Sequence, residues 1–539
     1  MRPLLSAIIA SLCLLAVGAG AAPVILDVTV PSEAKAPVSG RLLIFAEPLA
    51  RATREAHGGS IRDVDSRFTD PKATAIAARE VRDAAPGSTV EVDANEVAYP
   101  TAFSKLPPGQ YVVQAVLDVD HHYAYAGREP GDLISPVTEM TLPANGALAL
   151  TETVPAAKDP WSLPTDAPAD LVARRRVARA DTHLIDFVSP VLSRFWGRPI
   201  HMRAWLVTPP GYGDDRARRY PTVYFTHGFG GTLRGLVGIA IYVHDAMADG
   251  SAPPMIWVLL DESSPTGTHE FADSVNNGPW GEALTTELIP SLERHWRMDG
   301  RASGRFLNGH SSGGWATLWL QTRYPAIFGG TWSTSPDPSD FHDFTGIDLY
   351  APGANMYRRP DGTPVPIVRA NGHVVADMED FARAEAVEGA YGGQMSSFDW
   401  VFSPRGPGGR PEPMFDRTTG AVDPAVVAYW RDHYDIAWRA ARDWPKTKPE
   451  LDGKIHLIVG TADTFYLDGA AHRLKAVLDG LGARSDFRFL PGRTHFDLYQ
   501  VGDDPRGLLK EIAWQMYAVA RPGAQRPASP PQPRPAAPR

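Results

Sequence analysis

Six residues, Gly309-His310-Ser311-Ser312-Gly313-Gly314, constrain this chain more than any other stretch. They follow a short strand-like run, Arg305-Phe306-Leu307-Asn308, and precede a helical pattern from Trp315 to Tyr324. Gly-x-Ser-x-Gly between a strand and a helix reads as a nucleophile elbow. The turn is too tight for side chains beside the serine. It lifts Oγ above the sheet edge and aims a helix N-terminus at developing negative charge. Ser312 competes, but only Ser311 has the glycine frame. The chain from about 185 agrees with such a turn. Short apolar runs, Thr222-Val223-Tyr224-Phe225 and Met255 to Leu260, alternate with amphipathic patterns such as Glu282 to Trp296. That alternation predicts a parallel sheet covered by helices on both faces.

A serine hydroxyl is a poor nucleophile at neutral pH and needs a base, which needs an orienting acid. In folds with this elbow both come later in the chain, acid before histidine. The run Ile455-His456-Leu457-Ile458-Val459 predicts a strand, and Gly460-Thr461-Ala462-Asp463 places a carboxylate at its end. A helical pattern over 471–481 and a strand over 486–490 lead to His495. One strand–helix–strand unit thus delivers Asp463 and His495 to the edge where Ser311 sits, and ligands gather at that edge in open α/β sheets. Asp468 and Asp497 are the fallback acids. The loop His227-Gly228-Phe229-Gly230-Gly231, after the strand over 222–226, lets backbone N–H groups approach a reacting carbonyl. The expected oxyanion donors are the amides of Phe229 and Ser312.

These stretches, with Gly197-Arg198, Pro209-Pro210-Gly211-Tyr212 and Tyr220-Pro221, resemble the bacterial esterase family of α/β-hydrolases. That family includes esterase D, feruloyl and siderophore-ester hydrolases and mycolyltransferases. The resemblance covers roughly 195–335 and 450–520. It implies an α/β-hydrolase fold with a mostly parallel central sheet and a serine esterase acting on small-molecule or carbohydrate esters. It implies Ser311 as nucleophile, His495 as base, Asp463 as its partner, Phe229 at the first oxyanion amide, and no metal or cofactor.

Two segments exceed that pattern. Residues 23–154 carry alternating runs, such as Val24 to Val30, Gly40 to Phe45 and Gln110 to Val116, and no tryptophan. They predict a small all-β sandwich-like domain, separable from the rest, whose strands bury one face. Within it, Asp118, Asp120, His121 and His122 could suggest a metal cluster but read better as solvated strand-end residues. Residues 155–184 read as a polar linker whose Arg174-Arg175-Arg176 run faces solvent. The catalytic domain then spans 185–520. It holds an insertion over 341–450 with a helix over 377–388, a second helix from Pro424 capped by Asp423, and Trp400, Trp430, Trp438 and Trp444. The insertion is expected to form a lid or pocket wall. Its aromatics could hold a sugar or aromatic acyl group, and more often would be plain core.

Residues 1–21 read as a signal peptide, with Arg2, an apolar run to Val17 and Ala19-Gly20-Ala21 as cleavage site. Export to the periplasm or beyond is the expectation. The apolar run is short for a membrane span. Cleavage would remove Cys13, the chain's one cysteine. The tail 521–539, with seven prolines and four arginines, reads as disordered. A net charge of −9 argues against a nucleic-acid partner. An acyltransferase, with a sugar hydroxyl in place of water, and a non-catalytic envelope-binding protein are the alternatives.

Overall fold

The structure is a computed structural model and describes residues 22–57, 59–67 and 69–524. The expected signal peptide over 1–21 and nearly all of the tail lie outside the described residues. Eight strands form the central sheet: β1 (Thr182–Val188), β2 (His201–Val207), β3 (Thr222–Thr226), β4 (Ile256–Leu260), β5 (Arg305–His310), β6 (Gly330–Thr334), β7 (Ile455–Gly460) and β8 (Ser485–Leu490). Their order is β1-β2-β4-β3-β5-β6-β7-β8. β2 is antiparallel to both neighbours, and the remaining pairs are parallel. β3, β4 and β6 are buried at every residue, so they read as unbroken apolar or small-residue runs. Helices Val237–Ala248 and Gly507–Ala520 cover one face through Val243, Ile512 and Met516. Helices Ser312–Arg323 and Ile436–Leu451 cover the other through Leu318, Ala440 and Trp444.

The sheet starts earlier than the sequence suggests. β1 begins at Thr182, and the stretch read as a linker contains a helix, Ala169–Ala180, whose Ala178 packs into the core beside Val237. Arg174 and Arg176 are exposed, with Arg174 3.6 Å from both Asp170 and Asp245, but Arg175 turns inward and donates to the Pro160 carbonyl, so the run does not face solvent throughout.

In the N-terminal segment, Ile25–Thr29 pairs with Thr89–Asp93 and Gly146–Ala149. A larger sheet is centred on Val38–Pro48 and Gly109–Asp118. Leu26, Val28 and Val92 of the first meet Leu42, Ile44 and Val113 of the second. The larger sheet is buried on its other face as well. There Leu43, Phe45, Val112 and Val116 pack with Ala384 and Val387 of the insertion helix Met378–Glu388. The Arg41 guanidinium donates to the Val387 carbonyl at 2.7 and 3.3 Å. The one-face expectation fails because this helix, together with Ala52, Val64 and Tyr123 of the segment itself, covers the face that was expected to meet water.

Asp118 is not a solvated strand end. It is 1% exposed, and its carboxylate accepts N–H bonds from Asp120, His121 and Tyr123, so it caps the turn after its strand. Among the described residues no group of His, Cys, Asp or Glu is arranged to hold a metal, and no helix is long and apolar enough to cross a membrane. In the insertion, Asp423 caps its helix by accepting from Ala425 and Val426 at 2.8 and 3.2 Å. Trp430 and Trp444 are core, and Trp438 is exposed.

Candidate active site

β5 ends at His310, and helix Ser312–Arg323 starts two residues later. Between them Ser311 adopts φ 60°, ψ −126°, a region L-residues rarely occupy. The flanking glycines follow from contact. A methyl on Gly309 would lie 2.2 Å from the Gly313 carbonyl oxygen, and one on Gly313 would lie 2.2 Å from that of His227. Gly228 is as tight, because a methyl there would lie 2.8 Å from Ser311 Cβ. The turn therefore presses the 227–231 loop against the serine.

Asp463 follows β7 and is fully buried. Its Oδ2 lies 2.9 Å from His495 Nδ1, and its Oδ1 accepts the Phe465 N–H at 2.9 Å. Burial works against its charge, but His495 and these hydrogen bonds outweigh it and hold the carboxyl below its usual range. His495, 4% exposed, sits in the loop after β8 with its ring against His310 and Phe465. Ser311, His495 and Phe229 line one cavity of about 500 Å³. Ser312 lies beneath it as the first residue of its helix, where an N–H has no intrahelical acceptor.

The fallback acids are engaged elsewhere. Asp468 holds Arg369 at 2.9 Å, and Asp497 accepts from Thr494.

The sequence reading passed over Asp337. Its Oδ2 accepts the Ser312 hydroxyl at 2.6 Å, and its Oδ1 lies 3.5 Å from Ser311 Oγ. Ser311 makes that contact and no hydrogen bond to His495. Burial pushes the Asp337 carboxyl up to about 6, against the pull of Ser312 and His495. The signal available was its place: an acid just after β6, the strand beside the elbow strand.

The family model described as "Putative esterase" matches residues 196–496, more than half of the chain. The chain belongs to this esterase family. It is a carboxylic ester hydrolase of the α/β-hydrolase type. Among solved structures it is similar to a ferulic acid esterase at 13% identity, over 63% of this chain and 97% of that one, with TM-score 0.38. It is also similar to FphF, a fluorophosphonate-binding serine hydrolase of Staphylococcus aureus, at 12% identity, over 63% and 98%, with TM-score 0.37. An S-formylglutathione hydrolase from Agrobacterium tumefaciens matches at 14% identity, over 62% and 95%, with TM-score 0.35. No curated protein matches the chain.

The esterase builds the rest of its cavity from three parts of the chain. Phe465 and Phe496 come from the loops that carry Asp463 and His495, Phe381 and Phe398 from the insertion, and Tyr123 and Tyr125 from the N-terminal segment. None of the insertion's tryptophans lines it. Trp400 instead lines a larger cavity of about 980 Å³, to which none of Ser311, Ser312, Phe229, Asp463 and His495 contributes. Two glutamates of the insertion, Glu385 and Glu388, face the Ser311 cavity, and burial pushes them up to about 7 and about 8.

A folded-state value above the unfolded one means the folded esterase keeps a proton that the unfolded chain releases. This contribution is complete below pH 4.5 and is lost as pH rises through about 8. The expected result is a Tm that declines between pH 5 and 9, with a shallower decline in Glu388→Gln. Equal slopes in the two proteins would refute it.

Proposed function

We propose that this esterase cleaves its substrate through an acyl-enzyme on Ser311, with His495 as general base and Asp463 as the group that orients it. The observation that carries the reading is the buried Asp463–His495 pair, 2.9 Å apart, facing the cavity onto which the strained Ser311 opens. Asp463 Oδ2 accepts the Nδ1–H, which leaves Nε2 bare to take a proton. In the free enzyme Ser311 Oγ rests toward Asp337; rotation about its Cα–Cβ bond brings it to His495, and such contacts tighten when substrate binds. Oγ attacks the ester carbonyl carbon and its proton passes to His495. The oxyanion takes the N–H groups of Phe229 and Ser312, aided by the positive end of the elbow helix. His495 then returns the proton to the departing alkoxide. Water, deprotonated by the same imidazole, releases the acid.

The cavity supports an apolar or aromatic group on the ester, because seven phenylalanines and tyrosines line it, with Ile367, Met395 and Leu467 beside them. The leader pattern of 1–21 supports export. The composition break before Trp161 supports a β-rich segment over 23–154 ahead of the hydrolase. p-Nitrophenyl acetate tests the mechanism. A burst of one nitrophenolate per chain is expected, and a fluorophosphonate should attach to Ser311. Attachment to another residue would sink the assignment. Adding glycerol or a sugar as acceptor shows whether water or a hydroxyl takes the acyl group.

A further inference from the structure

The oxyanion loop is poor in intrinsic rigidity, since three of the four residues over 228–231 are glycines. Oxyanion donors act because they are held in place before charge develops. The hydrolase part supplies two restraints. The Gly231 N–H donates to the Gly228 carbonyl at 3.0 Å, and His227 Nδ1 lies 2.8 Å from the same oxygen. A third comes from outside the hydrolase sheet. The Tyr125 hydroxyl donates to the Gly231 carbonyl at 2.6 Å, and its ring meets Phe229 edge to face at 5.0 Å.

Tyr125 is itself braced. It lies on the helical turn Tyr123–Ala126, where the Asp118 cap fixes the Tyr123 N–H and the Tyr123 hydroxyl donates to Asp65 at 2.8 Å. Burial near Glu262 and Asp261 keeps the Tyr125 phenol protonated, so it stays a donor.

We infer that Tyr125, a residue of the N-terminal β segment, is a positioning residue for the oxyanion loop, so that this segment completes the catalytic machinery. The inference rests on the proposed roles of Ser311 and Phe229. Tyr125 touches neither reacting atom; it acts by holding the turn that aims the Phe229 amide.

The test is Tyr125→Phe in the full chain, which keeps the ring against Phe229 and removes the hydroxyl. Removing an oxyanion donor outright lowers kcat by about 10²–10³-fold, so loosening one is expected to lower it by about tenfold. KM for p-nitrophenyl acetate should stay within about twofold. Inhibition by phenylboronic acid, which becomes tetrahedral on the serine, should weaken by the same factor as kcat. A structural role alone would move Tm and KM and leave kcat and boronate affinity coupled to neither. Wild-type kcat and boronate affinity in the variant would overturn the inference, as would a loss confined to KM. A boronate that fails to inhibit the wild-type chain would overturn the Ser311 reading, and the inference with it.

Discussion

Ser311→Ala is expected to lower kcat for p-nitrophenyl esters by on the order of a million-fold, the scale of removing the nucleophile of a serine triad. The structure indicates that the fold survives the change. Alanine keeps the Cβ, so the backbone at φ 60° is no more strained than with serine. The lost hydroxyl makes one long contact, 3.5 Å to Asp337 Oδ1, while Ser312 still satisfies the other oxygen at 2.6 Å. Ser312 cannot substitute, because its hydroxyl is committed to Asp337 and its side chain is fully buried. Steady-state turnover and a thermal melt check both halves. Activity above about one per cent of wild type at an unchanged Tm would return the nucleophile to the unassigned side chains of the cavity.

The second large effect is expected on removing residues 22–154. A separable module, the sequence expectation, would leave small-ester hydrolysis intact. The structure points the other way. Helix Met378–Glu388 would lose the sheet face that covers Ala384 and Val387, and the Val387 carbonyl would lose Arg41. The cavity would lose the wall bearing Tyr123 and Tyr125, and the 227–231 loop its hydrogen bond at Gly231. A chain starting at 155 should therefore be insoluble, or soluble with a lowered Tm and kcat/KM reduced at least about tenfold for p-nitrophenyl butyrate. A soluble truncated enzyme with wild-type kcat/KM and Tm would refute this. Adding back the separate 22–154 fragment should restore part of the activity if the interface re-forms.

Much of the site was legible in the sequence because it is built from local rules. Gly309 and Gly313 are required by the close packing of one turn, and such packing leaves a fixed spacing. Asp463 and His495 each follow a strand of the same sheet, so the mostly apolar run 455–459 pointed to one and the alternating run 486–490 to the other. Asp337 left no comparable trace. It is one acid in Ser335-Pro336-Asp337-Pro338, and only the packing of β6 beside β5 brings it to the elbow. The double burial of the N-terminal sheet did have a sign, the unbroken apolar run Leu42-Leu43-Ile44-Phe45-Ala46. An unbroken run marks a strand covered on both sides. Part of what covers it, Ala384 and Val387, lies far along the chain, where periodicity cannot report it.

That distance has a consequence for biogenesis. Arg41 and the carbonyl it grips, at Val387, are 346 residues apart. Ribosomes add about 5–20 residues per second, so roughly 17–70 s separate the synthesis of the two. Until that interval ends, the face carrying Phe45 and Val116 lacks the part of its cover that Ala384 and Val387 supply. Contacts of such sequence separation also form slowly, since the loop between them must close before they are gained. The nascent chain thus carries an early hydrophobic surface that a holding chaperone would be suited to cover. Hydrolytic competence would then appear only after residues from both ends of synthesis have met.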